Sequence, residues 1–306
     1  MDLRPLGSLR VSVVGLGCNN FGMRIDDDAT ARVVSAALDA GINFFDTADI
    51  YGATKSEEFL GRALKGRRQQ AIVATKFGMA VDDRRKGARP EYVRRACDDS
   101  LKRLATDYID LYQLHQPDPS VPIADTLGAL HDLVKAGKVK EIGCSNFSAE
   151  QLDEAARATT PGAASFISVQ NEYSLLHREP ENSVLPACER LGLAFLPYFP
   201  LASGLLTGKF DPEKGAPKDS RLSLSWTSRF TSEKNVRIAE ALKAFAAARK
   251  HTLLELAFSW LASRPQVASV IAGATSPEQV RANASAVNWT QTREDLAEID
   301  RLSPHT

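Results

Sequence analysis

The chain has 306 residues, of which 43% are hydrophobic, a length and composition sufficient for one large core. Lysine and arginine together number 38, as do aspartate and glutamate, so the formal net charge is zero. A chain without net charge has no general field for collecting nucleic acid or an anionic membrane surface. We therefore expect neither partner, and we expect a single domain over residues 1–306.

The distribution of cysteine and histidine indicates the compartment. The four cysteines are Cys18, Cys97, Cys144 and Cys188. They show neither paired nor metal-ligand spacing, which suits free thiols in a reducing cytosol. The five histidines are equally scattered, so we expect no metal site. The apolar stretch 11–18 is broken by a serine and two glycines and is too short for a signal peptide. These features predict a cytoplasmic protein.

The first elements are short and extended. Two runs between residues 3 and 13 flank the turn-forming pair Gly7-Ser8, which predicts a β-hairpin. The next strand contains Gly15 and Gly17, a weak match to a dinucleotide-binding fingerprint. Asn20 stands where the third glycine would be, so we favour a barrel strand over that alternative.

Strand and helix patterns then alternate along the whole chain. The predicted strands are 13–18, 42–45, 71–75, 108–114, 139–144, 166–169, 193–197 and 268–271. Most are followed by apolar residues at helical spacing, as in 29–40, 92–104 and 123–136. Residues 200–232 show little periodicity, and a loop of this length is usually functional or mobile. The alternation predicts the α/β class with a parallel sheet.

Three of these strands end in polar residues. Asp46 follows the second strand, with Tyr51 five residues later; Lys76 follows the third and His115 the fourth. Each alone has an ordinary interpretation, such as a helix cap or a solvated charge. Strand ends of a parallel barrel converge on one face, where the active sites of such barrels lie. The joint pattern therefore favours an active site.

With these residues in view, the chain resembles the aldo-keto reductases. The matching segments, in the order of that family, are 45–52, 74–76, 112–118, 142–147, 169–173 and 204–209. The resemblance implies a (β/α)8 TIM barrel with an N-terminal β-hairpin closing its bottom. It also implies an NADPH-dependent oxidoreductase that reduces an aldehyde or ketone to an alcohol, with Asp46, Tyr51, Lys76 and His115 as the catalytic residues.

The residue types suit these roles. Tyr51, with an unperturbed pKa of ~10, is a poor proton donor near neutrality unless its phenolate is stabilised. Lys76 would supply the stabilising charge, and Asp46 would hold Lys76 charged. His115 would donate a hydrogen bond that orients the substrate carbonyl.

The resemblance also implies cofactor contacts. Ser145, Asn146 and Gln170 would bind the nicotinamide carboxamide, although loop capping is an ordinary alternative. Tyr198 would stack on the nicotinamide or simply pack in the core. The residues implied near the pyrophosphate are Leu201, Ser203, Leu205 and Lys209.

The adenosine end would lie at a helix N-terminus. Ser276 as N-cap, Pro277 at the first position and Gln279 completing a capping box predict this helix. Its free N–H groups would receive the adenosine 2′-phosphate. The implied contacts are Gly273, Thr275, Ser276, Gln279 and Asn283. The resemblance implies Lys or Arg near the positions of Gly273 and Gln279, but both are uncharged here and Arg281 is the nearest base in sequence. The family's habit still makes NADP(H) the preferred cofactor, with NAD(H) possible.

The substrate is less defined. Aromatic candidates for the pocket are Phe21, Phe77, Trp226 and Phe230, which suggest an apolar or aromatic carbonyl, with a sugar left open. We expect a small-molecule partner and a monomer, with an oligomer not excluded. The alternatives are a cofactor-binding sensor or regulatory subunit, a sugar dehydrogenase working oxidatively, and a phosphate-binding isomerase barrel.

Overall fold

The computed structural model describes residues 1–217 and 220–305. The chain begins with the predicted hairpin: strands β1 (Leu3–Leu6) and β2 (Leu9–Ser12) pair antiparallel. The turn between them needs a left-handed residue, which Gly7 supplies with φ +57°. The hairpin is thus present where the turn pair predicted it.

Eight parallel strands follow. Their bounds are β3 (Val14–Gly17), β4 (Phe44–Asp46), β5 (Ile72–Phe77), β6 (Ile109–Leu114), β7 (Val139–Ser145), β8 (Phe166–Glu172), β9 (Ala194–Tyr198) and β10 (Val270–Gly273). From β3 to β9 each strand pairs with the next in sequence, and β10 pairs with β3. The circle closes at β9, where the Phe195 N–H donates to Gln266 O at 2.7 Å and the Ala268 N–H donates to Phe195 O at 3.1 Å. The predicted (β/α)8 barrel is confirmed.

Helices pack around the strands. Their bounds are α1 (Asp27–Asp39), α2 (Lys55–Ala63), α3 (Pro90–Leu104), α4 (Ile123–Lys135), α5 (Ala149–Ala158), α6 (Val184–Leu191), α7 (Glu233–Ala248), α8 (Leu253–Ala262), α9 (Pro277–Ala284) and α10 (Arg293–Leu302). The capping residues explain several starts. Ser148 and Gln151 form a full capping box at the start of α5. The helix α1 begins two residues before its predicted start because Asp26 accepts the Ala29 N–H at 2.9 Å.

The barrel interior has an apolar floor. Leu6, Leu9 and Val11 of the hairpin form one buried cluster with residues from the barrel strands, including Phe44, Ala74, Leu111 and Leu196. The hairpin therefore closes the bottom of the barrel. Successive strand residues alternate between the two faces, so the residues two positions further along these strands face the interior nearer its other end. They are Asp46, Lys76, Gln113 and Tyr198.

The long segment 200–232 contains no α-helix within its described residues, 200–217 and 220–232. It carries three 3₁₀ helices, Ala202–Thr207, Arg221–Ser223 and Ser225–Thr231. The first contains a kink at Ser203 and Gly204, with φ of 58° and 117°. Short helices of this type show little sequence periodicity, so the sequence pattern of this segment predicts a loop.

Candidate active site

A buried ion pair lies at the centre of the upper barrel. Lys76 Nζ lies 2.7 Å from Oδ1 and 2.6 Å from Oδ2 of Asp46, and donates to Thr47 O at 3.0 Å. The carboxylate also accepts from the side-chain amides of Gln170 at 2.9 Å and Gln113 at 3.3 Å. Burial, the largest single cause, lowers the pKa of Lys76, but the charges of Asp46 and Tyr51 and the hydrogen bonds to both together outweigh it, so the pKa is raised. Lys76 therefore stays charged, and its short contacts with Asp46 fix its position.

The strand boundaries at this pair differ slightly from those predicted. Asp46 is the last residue of β4, and Lys76 and Gln170 lie inside β5 and β8, because those strands continue further than the apolar runs do. Their side chains consequently project from regular strand backbone into the barrel.

Tyr51 lies beside this pair. Its ring centroid is 5.3 Å from Lys76 Nζ. Burial raises the pKa of Tyr51, and the charge of Lys76 offsets part of that rise. The next residue, Gly52, has φ +57°, and a Cβ there would overlap the carbonyl oxygen of Phe21. Only glycine fits this close approach, which sets the path of the loop carrying Tyr51.

His115 completes the group. It follows β6, and its ring meets that of Tyr51 edge-on, with centroids 5.8 Å apart and planes at 79°. Burial and the charge of Lys76 lower the pKa of His115 to about 3. The imidazole is therefore neutral near neutral pH. Its Nδ1 is buried without a hydrogen-bond partner among the described residues.

These groups open into a cavity of about 940 Å³ that runs from the barrel mouth to α9. Asp46, Tyr51 and His115 line it. Most of the predicted cofactor contacts also line it: Ser145, Asn146, Gln170, Tyr198, Leu201, Ser203, Lys209, Gly273, Ser276, Gln279 and Asn283. Leu205 and Thr275 are not among the lining residues, and Leu205 is buried in the core.

One wall of the cavity is a hydrogen-bonded set. Ser145 Oγ donates to Gln170 O at 2.7 Å, and Asn146 Nδ2 donates to His115 O at 2.9 Å. Tyr198 donates its hydroxyl to Asn146 Oδ1 at 2.8 Å. Asn146 holds a left-handed backbone conformation with φ of 62°. These contacts couple the wall to the backbone of His115.

The far end of the cavity is the N-terminus of α9. Ser276 caps it as predicted, but the capping box was wrong: the side chain of Gln279 accepts from the N–H of Thr275 at 2.9 Å rather than from that of Ser276. Thr275 offers a hydroxyl as well as an N–H, which accounts for this choice. Gln279 thus ties the loop before the helix to its first turn.

The hydrogen-bond donors and acceptors lining this cavity fit an elongated polar ligand such as a dinucleotide. Ser203 Oγ and Asn20 Oδ1 are buried without a partner among the residues that the structure describes, and both residues line the cavity. The N-terminal N–H groups of α9 suit a phosphate. At Gly273 a Cβ would lie 2.9 Å from Asn20 Nδ2, so a side chain there would crowd the cavity.

Several lining residues were not predicted. Arg221 donates to Asn19 Oδ1 at 3.1 Å and lies over the ring of Phe199 at 5.4 Å. Burial lowers the pKa of Arg221 to about 10. In the sequence it is one cation in a Pro- and Ser-rich segment, a pattern typical of a solvated loop. Nothing local distinguished it.

The aromatic substrate candidates lie elsewhere. Phe21 and Phe77 are fully buried and do not line the cavity, and Phe77 stacks on Tyr112 at 4.6 Å. Phe77 follows the inward Lys76, so strand alternation turns it outward. Phe230 is buried behind Phe199, with ring centroids 5.5 Å apart, and lines a separate pocket of about 180 Å³. The side chain of Trp226 lies outside the described part of the structure.

The cavity beside Tyr51 has other apolar neighbours. The apolar lining residues include Met23, Ile50, Met79 and Phe199. Across residues 1–217 and 220–305, no three His, Cys, Asp or Glu side chains are grouped so as to hold a metal ion. None of the helices in these same residues has the length and apolar character needed to cross a membrane.

Comparisons with known proteins agree with this geometry. A model described as the aldo/keto reductase family matches residues 13–304. A probable aldo-keto reductase 1 from Glycine max is 38% identical, over 96% of this chain and 86% of its own. The glycerol dehydrogenase AKR11B4 from Gluconobacter oxydans shares the structure with a TM-score of 0.85 at 32% identity, covering 98% of this chain and 94% of that one.

A second similar structure is an aldo-keto reductase from Klebsiella pneumoniae in complex with NADPH. Its TM-score is 0.80 at 28% identity, with 99% of this chain and 95% of that chain covered. Because the family match spans nearly the whole barrel and includes every strand that contributes to the cavity, the chain belongs to the aldo/keto reductase family and is an oxidoreductase.

Proposed function

We propose that this enzyme reduces an aldehyde or ketone to an alcohol with NADPH, Tyr51 supplying the proton. The observation that carries the proposal is the buried pair Lys76–Asp46 beside the Tyr51 ring, with His115 at its edge. Reduction of a carbonyl needs a proton donor at the oxygen and a way to stabilise the anion left on the donor. This arrangement provides both.

Tyr51 is suited to proton donation by its surroundings. Its raised pKa keeps the phenol protonated near neutral pH, so the proton is available. As the proton leaves, the ammonium of Lys76 favours the phenolate that forms. Asp46 keeps that ammonium charged and holds it in place through two short contacts. Tyr51, Lys76 and Asp46 thus act together as a proton donor with a fixed geometry.

His115 has a separate role. Because its pKa is about 3, the ring carries no charge at neutral pH and is not the proton source. A neutral imidazole keeps one N–H, and from the lining of the cavity it can donate to the substrate oxygen. His115 would therefore orient the carbonyl and polarise it.

The cavity would hold the cofactor along its length, and bound NADPH would supply the hydride. Ser145, Asn146 and Gln170 would bind the carboxamide, with the Tyr198 ring beside the nicotinamide. The residues we propose toward the pyrophosphate and adenosine are Leu201, Ser203, Leu205, Lys209, Gly273, Thr275, Ser276, Gln279 and Asn283. The NADPH complex of the Klebsiella pneumoniae reductase supports this choice of cofactor. Gly273 and Gln279 carry no charge, so NADH remains a weaker alternative.

The substrate is proposed to be a small apolar or aromatic carbonyl compound. Met23, Ile50, Met79 and Phe199 give the cavity beside Tyr51 an apolar side. A second candidate is oxidation of a small polyol, favoured by the likeness to a glycerol dehydrogenase. The same residues would act in reverse, with Tyr51 accepting the proton. We further propose one domain, a monomer and a cytoplasmic location.

The test combines a substrate panel with one conservative variant. Loss of reduced-cofactor absorbance is followed with aldehydes, ketones and aldoses, using both cofactors, and the reverse direction is assayed with polyols. Tyr51→Phe keeps the ring and should lower turnover by about two to four orders of magnitude while cofactor binding persists. Tyr108→Phe is the control, because Tyr108 stacks with Arg68 and Lys140 away from the cavity. Near-normal turnover in Tyr51→Phe would remove Tyr51 from the proposed chemistry.

A further inference from the structure

A second group of buried charges lies behind the loop that carries Tyr51. Glu57 of α2 is fully buried and accepts from Thr75 Oγ1 at 2.5 Å and from Arg103 Nε of α3 at 2.6 Å. Thr75 directly precedes Lys76 in β5. Both carboxylate oxygens of Glu57 are therefore used, one by the strand that presents Lys76 and one by a guanidinium that balances its charge.

Asp49 faces the same group but has only weak partners, the backbone N–H of Ile50 and the hydroxyl of Tyr92. It is 2% exposed, and its Oδ2 lies at the limit of hydrogen bonding, 3.5 Å from the Tyr92 hydroxyl. Its Oδ1 has no hydrogen-bond partner among the described residues. The titratable and charged groups facing it are Glu57 of α2, Arg103 and Tyr92 of α3, and Tyr112 of β6.

The charges in this group do not balance if both carboxyls are ionised. Arg103 is the cation acting on Asp49, and its Nε is already bonded to Glu57, while Arg85 and Arg95 act on the neighbouring Tyr92. An unpaired buried carboxylate is costly, so it retains a proton instead. Burial, followed by the charge of Glu57, raises the pKa of Asp49 to about 7.

The backbone of Asp49 is part of the catalytic framework. Its N–H donates to Lys76 O at 3.0 Å, and the Thr47 N–H donates to Ala74 O at 2.9 Å. Lys76 Nζ in turn donates to Thr47 O. Tyr51 is two residues further along the same loop. A movement of the Asp49 side chain toward water would therefore shift Tyr51 relative to Lys76.

We propose that Asp49 is a positioning residue, which holds Tyr51 beside Lys76 only while its own carboxyl carries a proton. The proposal rests on the function proposed above, because it concerns the placement of the proton donor. When the proton is lost, the anion faces Glu57 without a cation of its own, and the loop 47–51 relaxes away from the buried group. Turnover then falls at a pH well below that at which Tyr51 ionises.

The proton on Asp49 should also make the stability of the protein depend on pH. The folded-state pKa of Asp49 lies above the value of ~4 for an unfolded aspartate. The stabilisation is therefore fully present below pH ~4 and is lost progressively as the pH rises to about 7. Asp49→Asn places a neutral side chain of the same shape at the position, so this pH dependence should vanish in the variant.

The decisive experiment compares pH profiles of kcat and kcat/KM. If only the protonated form is productive, turnover of the wild-type enzyme should fall about tenfold between pH ~6 and ~8, as expected for one group with a pKa of about 7. Asp49→Asn should be flat across this range. The matched control is Asp83→Asn, since Asp83 is exposed on the loop after β5; its profile should follow the wild type.

A second variant keeps the proposal testable if Asp49→Asn fails to fold. Glu57→Gln frees Arg103 to pair with the Asp49 anion, so the alkaline fall should also disappear there. A residue with a purely structural role would lower turnover at every pH without changing the shape of the profile. A wild-type profile that is flat, or one that Asp49→Asn reproduces, overturns the proposal.

The unfolding midpoint, measured against pH without substrate, separates this proposal from the proposed function. A difference in unfolding midpoint between wild type and Asp49→Asn that changes from pH ~4 to ~7 supports a proton on the buried Asp49, even if no carbonyl is turned over. A difference that stays constant with pH refutes it. Absence of turnover in all of these proteins would instead count against the proposed function.

Discussion

Removal of the Lys76 ammonium should lower both the stability of the barrel and its turnover, and the two losses have separate causes. In Lys76→Met the apolar part of the side chain remains, but the Asp46 carboxylate keeps only the amides of Gln113 and Gln170 and is 4% exposed. Breaking one partner of a buried ion pair costs about 3–5 kcal/mol, because the other charge stays buried and uncompensated. Turnover should fall by about two to four orders of magnitude, since the phenolate of Tyr51 loses its stabilising charge.

A double variant separates the two effects. Asp46→Asn combined with Lys76→Met removes both charges and should return the unfolding free energy to within about 1 kcal/mol of wild type. Turnover should stay at the level of the single variant. Lys138→Met is the matched control: its partner Asp98 lies 2.6 Å away, but both side chains are more than 40% exposed, so the loss should be under about 1 kcal/mol.

Urea unfolding followed by circular dichroism gives the stabilities, and reduced-cofactor oxidation gives the rates. The single variant should also recover part of its stability as the pH falls, because the stranded carboxylate can then bind a proton. Wild-type stability in Lys76→Met, or a double variant no more stable than the single one, would refute the reasoning about the pair.

Two further predictions concern pH and cofactor. His115 has a folded-state pKa of about 3, against ~6.5 when unfolded, so the wild-type protein should lose stability as the pH falls from ~6.5 toward ~4. His115→Gln should lose less stability over the same range. Equal slopes of unfolding free energy against pH in the two proteins would argue against a buried neutral ring. The enzyme should prefer NADPH over NADH by tenfold to a hundredfold in kcat/KM, about 1.4 to 2.8 kcal/mol, because the N-terminus of α9 favours a phosphate although Gly273 and Gln279 bear no charge. Specificity constants for both cofactors at one carbonyl concentration measure this, and a clear preference for NADH would contradict it.

The barrel itself could be predicted because its signals are local. Apolar runs, helical spacing and caps such as Ser148 are read within a few residues of chain, and strand ends are found where an apolar run meets Asp46 or His115. That these ends converge follows from parallel topology rather than from any particular residue. The four polar residues could therefore be grouped before their distances were known.

Other features depend on contacts between distant parts of the chain. Glu57 and Arg103 form an ion pair although 46 positions separate them, and Arg221 donates a hydrogen bond to Asn19, 202 positions away. No local sequence pattern predicts these two contacts. Phe77 is different, since strand alternation beside Lys76 already implied that it faces away from the cavity. The period of the strand is thus a better guide to the orientation of Phe77 than its aromatic type.

The apolar side of the cavity is built from separate connections, and this matters for redesign. Met23, Ile50, Met79 and Phe199 follow β3, β4, β5 and β9 respectively, and none bonds to the Lys76–Asp46 pair. A mutant library that varies these positions would reshape the cavity beside Tyr51 loop by loop while the proton-donating group stays unchanged. Gly52 must be held constant in such a library, because any larger residue there would push Tyr51 off the path on which every variant depends.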